Sequence, residues 1–172
     1  MRNFLLGLII GMLLLPAAAL LYVRFGYAPV ATAAPPLPLE RTVTRLALNA
    51  RIAKEAPKDS PVPPTAQNVV AGARLYREHC AVCHGTQGEP KTPTAKGMFP
   101  APPQLLAGKG VTDDPVGETY WKAANGIRLT GMPAYRESLS EAQLWQISEM
   151  LANADKLPPE AKAVVAAPAP VH

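Results

Sequence analysis

Both cysteines of this 172-residue chain fall within five residues, Cys80-Ala-Val-Cys83-His84. A disulfide between residues this close closes a short loop and stabilises little. A thioredoxin-type dithiol needs a strand-helix setting, and no alternating apolar strand is found along the chain. A structural zinc site takes four ligands, usually from two such pairs, and this chain has one pair. The surviving reading is C-x-x-C-H, the attachment signature of c-type haem. On that reading Cys80 and Cys83 add across the two vinyl groups as thioethers, and His84 is the proximal iron ligand. His79, beside Cys80, cannot reach the opposite haem face and is expected to be a packing neighbour.

The flanking segments point to an all-α domain built around that group. From Asn68, residues Val69, Gly72, Ala73, Tyr76 and Cys80 recur on one helical face, with Thr65 or Asn68 as the cap. Asp114-Pro115 reads as an N-cap followed by Pro at the first helical position, opening a helix that ends near Asn125-Gly126. Ser140 and Gln143 form a capping box, with Leu139 and Leu144 placed as a hydrophobic staple. Leu144, Ile147 and Leu151 then share a face of the last helix. From Gly85 to Gly110 no regular element is expected. Three helices and a long loop are a thin core for some 90 residues. One covalently bound macrocycle would fill its centre.

Upstream, residues 4–23 are twenty residues without a charge, long enough to span a bilayer as a helix. A signal peptide cut near residues 31–34 is the competing reading. It would leave Arg24 and about ten residues between the apolar run and the cut, where this spacing is normally short. Residues 28–38 and 57–64 each carry four prolines and read as extended spacers. Between them, Leu39, Val43, Leu46, Ala50 and Ala53 recur at helical spacing, so a short amphipathic helix is expected over 39–55, docked on the domain or a partner. Were the whole stretch from 24 to 66 flexible, it would span about 40 Å. The expected division is an anchor or signal peptide (1–27), a Pro-rich linker (28–66), a haem domain (67–157) and a disordered tail (158–172) that ends in His172.

The net charge of +4 belongs to the upstream part. Residues 68–157 carry nine Lys/Arg and nine Asp/Glu, and no basic run is interleaved with aromatics, which excludes a nucleic-acid partner. No small-molecule substrate is indicated either.

For the distal side of the iron, a soft, neutral thioether suits low-spin haem. Met12 lies in the apolar run and Met150 inside the last helix, leaving Met98 and Met132. Met132 follows His84 by 48 residues, in a loop whose backbone Gly131 and Pro133 would pin. It is the expected ligand, and Met98 is expected to pack on the haem edge.

"CAVCHG", then Pro-Pro-Gln-Leu at 102–105, "GMPAY" and the final helix together resemble class I cytochromes c over residues 68–157, about half the chain. The wording around Met132 is most similar to membrane-anchored bacterial monohaem cytochromes. The resemblance implies that the first and last helices cross at a small residue, with Gly72, Tyr76 and Trp145 as that contact. It implies that a proline carbonyl, of Pro102 or Pro103, orients His84. It also places Tyr120, Trp121 and Arg128 near the haem propionates. His/Met ligation leaves no open iron position, so single-electron transfer without catalysis is implied. The partners would be membrane-bound or periplasmic donor and acceptor proteins, met at an apolar edge formed by Ala81, Val82, Met98 and Phe99. Haem c attachment implies a domain on the periplasmic side of a bacterial inner membrane. A tethered shuttle and a fixed subunit of a larger respiratory or dehydrogenase complex both fit. A haem sensor or peroxidase-like enzyme would need a distal acid-base residue, and no histidine is placed for that role.

Overall fold

In the computed structural model, which describes residues 1–167, the chain is helical and no strand occurs among the described residues. It divides into two units, Met1–Arg41 and the chain from Thr42 onward.

The first unit holds helix α1, Arg2–Arg24. Its stretch from Asn3 to Arg24 has a mean hydropathy of 2.6 and is not buried against the protein, and it is long and apolar enough to cross a membrane. Pro16 lies within the helix without ending it.

Helix α2, Glu40–Glu55, lies in the segment expected to be amphipathic, but a different side of it is buried. Val43 is 61% and Leu46 66% exposed, and Ala50 and Ala53 are exposed too; Ile52 is the buried residue, with Leu48 half-buried one turn earlier. The sequence offers two apolar faces, and burying Leu and Ile removes more apolar area from water than burying alanines. The end of α2 is tied to the domain. The indole N–H of Trp121 donates to Glu55 Oε2 at 3.3 Å. The Pro57 carbonyl occupies the space where a Cβ on Gly117 would sit. Residues 42–66 therefore belong to the same compact unit as the domain. The non-helical stretch between α1 and α2 is reduced to residues 25–39, a span of about 20 Å if flexible.

The domain itself is built on α3 (Ala66–His79), α6 (Val116–Asn125), α7 (Glu141–Ala152) and α8 (Pro159–Ala166). Two single turns, α4 (Ala81–His84) and α5 (Pro93–Lys96), and a 3₁₀ turn at Ala154–Lys156 complete it. α5 is the one regular piece in the stretch expected to have none. Thr65 caps α3 by accepting from the Asn68 amide. Both arms of the Ser140–Gln143 capping box are made. α6 starts one residue later than expected. Pro115 is its cap, with no side-chain bond, and Asp114 lies 3.8 Å from Lys122 instead.

The crossing of α3 and α7 explains Gly72. A Cβ there would collide with the Gln146 carbonyl and come within 2.9 Å of Met150 Cβ. The backbones meet where only a hydrogen fits, and the partners are Gln146 and Met150, not Trp145. Trp145 instead stacks on Tyr120, ring centroids 4.1 Å apart. It lies on the side of α7 that faces α6, because residues 145 and 146 are about 100° apart on a helix.

The tail expected over 158–172 is corrected for its first half. Pro158-Pro159 does not lead into disorder. Pro159 stands at the first helical position, and α8 buries Ala161 and Val165 fully against the core of α3 and α7. The Val165 carbonyl accepts from the Gln87 amide at 3.1 Å, joining α8 to the segment just after the cysteine motif. An Arg74–Glu160 ion pair also links α3 and α8, but both groups are exposed and such pairs contribute little. His172 lies outside the described residues.

Candidate functional site

The cysteine motif forms one helical turn. The amides of Cys83 and His84 both donate to the Cys80 carbonyl, at 3.1 and 2.8 Å. Positions i, i+3 and i+4 of a helical turn share a face. Cys80, Cys83 and His84 are thus presented together, while Ala81 points inward and is fully buried. Gly85, at φ +76°, ends the turn in a conformation that favours glycine.

The thiols are free, and their acidity speaks against a redox pair. Burial, with Cys83 nearby, pushes the Cys80 thiol up to about 12, and burial raises Cys83 as well. Reactive dithiols need the opposite, a lowered thiol that supplies thiolate.

His84 is oriented from the 102–103 pair, and the structure chooses between the two prolines. Its Nδ1–H donates to the Pro103 carbonyl at 2.8 Å. A carbonyl can only accept, so the proton sits on Nδ1 and Nε2 carries the lone pair. Burial holds the His84 pKa below its ordinary value, partly offset by the Pro103 bond, which keeps the ring neutral as a ligand must be. Pro102 is buried and does not take this role.

Several contacts clamp the motif. The Tyr76 hydroxyl, on α3, donates to the Gly85 carbonyl at 2.8 Å in a fully buried position. The Tyr135 hydroxyl donates to the His79 carbonyl at 2.8 Å. Thr92 Oγ1 donates to the Val82 carbonyl at 2.7 Å. The clamping roles of Tyr135 and Thr92 were not foreseen from sequence. A buried Tyr needs a partner for its hydroxyl, which was the available signal for Tyr76.

The distal loop returns onto α6. The Tyr135 and Arg136 amides donate to the Ala123 and Ala124 carbonyls, at 3.0 and 3.3 Å, satisfying the open end of the helix. Gly126, at φ +66°, lets the loop approach: a Cβ there would lie 2.7–2.8 Å from Met132, Pro133 and Ala134 backbone atoms. Met132 is half-buried in this loop, with its amide bonded to Thr130 Oγ1 at 3.1 Å. Met98 packs beside it, against Gly131. Met98 therefore reaches the residue that precedes Met132.

The remaining expectations divide. Trp121 commits its only donor to Glu55, which leaves none for a propionate. Tyr120 is half-buried on Trp145, and Arg128 is exposed. Ala81 is buried and cannot line a docking edge; Val82 is exposed, and Met98 and Phe99 are half-buried. His79 faces Tyr135, with ring centroids 5.9 Å apart.

Two free thiols and an imidazole of defined tautomer on one helical face fit covalent haem c, with Cys80 and Cys83 as attachment points and His84 as ligand. When bound, the haem supplies a one-electron couple.

Residues 67–151 match the sequence model of a family described as Cytochrome C oxidase, cbb3-type, subunit III. None of the curated proteins matches the chain. Among solved structures, the Kuenenia stuttgartiensis reducing HAO-like protein complex Kustc0457/Kustc0458 is similar at 24% identity and a TM-score of 0.49. That likeness covers 58% of this chain and 49% of the other, so the chain spans about half the length of that relative, and it carries no functional argument.

Proposed function

We propose that residues 67–151, which match the family model, are a class I-like c-type cytochrome domain carrying covalent haem c, and that the chain is a membrane-tethered carrier of single electrons with His84 and Met132 as iron ligands. The observation that carries the reading is the His84–Pro103 bond, which leaves Nε2 as the coordinating nitrogen. With a thioether on the other side, the iron keeps no open position, which favours outer-sphere transfer over catalysis. A neutral thioether and a buried site raise the reduction potential. Apolar helix α1 would hold the domain at a bacterial inner membrane, facing the periplasm where haem c is attached. Its partners would be electron donor and acceptor proteins.

The test of ligation is the sulfur-to-iron charge-transfer band of the ferric protein. Met132→Ala should abolish it and lower the potential by on the order of 0.1 V or more, within the roughly 0.8 V that axial ligands command. An unchanged band would refute Met132.

A second reading, a fixed subunit of a larger complex, is favoured by three observations. Segment 42–66 is part of the compact unit and not a free leash, and Val43 and Leu46 remain exposed on α2. The matched family is described as an oxidase subunit. Mild detergent extraction separates the readings: a stable complex that retains the cytochrome supports the subunit, and an isolated chain supports the shuttle.

A further inference from the structure

We propose that Met98 is a positioning residue for the distal ligand: its side chain fills the space beside Gly131 and holds the loop that presents Met132. The proposal rests on the reading of Met132 as ligand.

Gly131 does not adopt a left-handed φ, so its backbone does not demand glycine. The neighbour does. A Cβ at Gly131 would fall onto the terminal methyl carbon of Met98 and lie 3.6 Å from its sulfur. The Met98 methyl therefore occupies the place a side chain at 131 would take, one residue before the ligand.

The ties within residues 127–132 are local, and the far end of the loop is held by the Tyr135 and Arg136 amides on the Ala123 and Ala124 carbonyls of α6. Thr130 Oγ1 accepts from the Met132 amide and donates to the Ile127 carbonyl, and the Ile127 amide donates to the Met132 carbonyl at 3.2 Å. They shape residues 127–132 into a unit and leave its setting to packing. Met98 reaches that unit from a distant segment, just after α5. Its unbranched, polarisable chain suits an irregular gap. With its methyl against Gly131, its thioether takes part in packing beside the ligand. Removing it opens a void next to the loop, and the iron–thioether bond then opens more often.

The experiment uses the holoprotein and measures the ferric charge-transfer band and the rate at which imidazole displaces the thioether. Met98→Ala should keep the haem and the band but be displaced about tenfold faster. Met98→Leu, close in volume, should return the rate to near wild type. Gly131→Ala, which displaces the Met98 methyl from its place beside the loop, should move the rate in the same direction as Met98→Ala and decides the matter if that variant does not take up haem. Unchanged rates in Met98→Ala and Gly131→Ala overturn the proposal while leaving Met132 as ligand. A band lost in Met98→Ala and kept in Met132→Ala overturns both, making Met98 the ligand. Met132→Ala must lose the band for the underlying reading to stand, and this is read separately from the displacement rate.

Discussion

The two sides of the haem site are held by different means. The proximal side is one helical turn, Cys80 to His84, clamped by Tyr76, Tyr135, Thr92 and Pro103 through hydrogen bonds of 2.7–2.8 Å. The distal side is a loop, shaped by local bonds, made possible by Gly126 and packed by Met98. Covalent attachment and a directed imidazole make the first side stiff. With Met132 as the proposed ligand, the second depends on a thioether bond and on packing. The difference teaches that exchange and potential in this domain are adjustable from the distal side, whereas haem retention is decided on the proximal one.

The largest effect expected from breaking this comparison is on retention. Cys80→Ala with Cys83→Ala should yield protein from which haem is removed by acid-acetone extraction, while Met132→Ala keeps its haem through the same treatment. Equal loss from both would erase the distinction. Next comes Gly72→Ala, which leaves the site untouched but pushes α3 against the Gln146 carbonyl. It should cost about 1–3 kcal/mol in denaturant unfolding, with the charge-transfer band intact in the folded fraction.

Tyr76→Phe removes the bond to the Gly85 carbonyl and leaves a buried acceptor unpaired. A loss of about 1–3 kcal/mol is expected, with no change in thioether displacement, since the effect is confined to the proximal side. The smallest effect at neutral pH comes from His84. In the haem-free chain, where the ring is not bound to iron, its folded pKa is lowered by burial, so its contribution to stability is complete above the ordinary histidine range, about 6.5. That contribution is lost as pH falls through the lowered folded value. Met132 takes up no proton in this range. Unfolding midpoints of the haem-free protein, measured downward from pH 7, should therefore decline by the same amount in wild type and in Met98→Leu.

Much of the site was legible along the chain because its chemistry is local. Cys80, Cys83 and His84 lie within one turn, and the Ser140–Gln143 box lies within another. A spacing of three or four residues is a geometric statement in a helix. The choices that sequence left open or misplaced were long-range. Pro103 was distinguished from Pro102 only by which carbonyl faces His84, nineteen residues away. Trp121 was assigned to the haem by resemblance and is claimed by Glu55 from the segment before the domain. α2 showed an apolar stripe that proved to be its outer face, because a helix bearing two apolar faces is decided by what it packs against. α8 was read as a tail because Pro158-Pro159 ends a helix as well as it begins one.

The residue order alone thus pointed to an all-α haem-attachment domain with His84 as the expected proximal ligand, since turn geometry and ligand chemistry act over a few residues. Folding in three dimensions settled which carbonyl orients that histidine, where the α3–α7 crossing is made, and that Met98 packs against Gly131, the residue before Met132. Those outcomes depend on contacts between segments that no local spacing encodes.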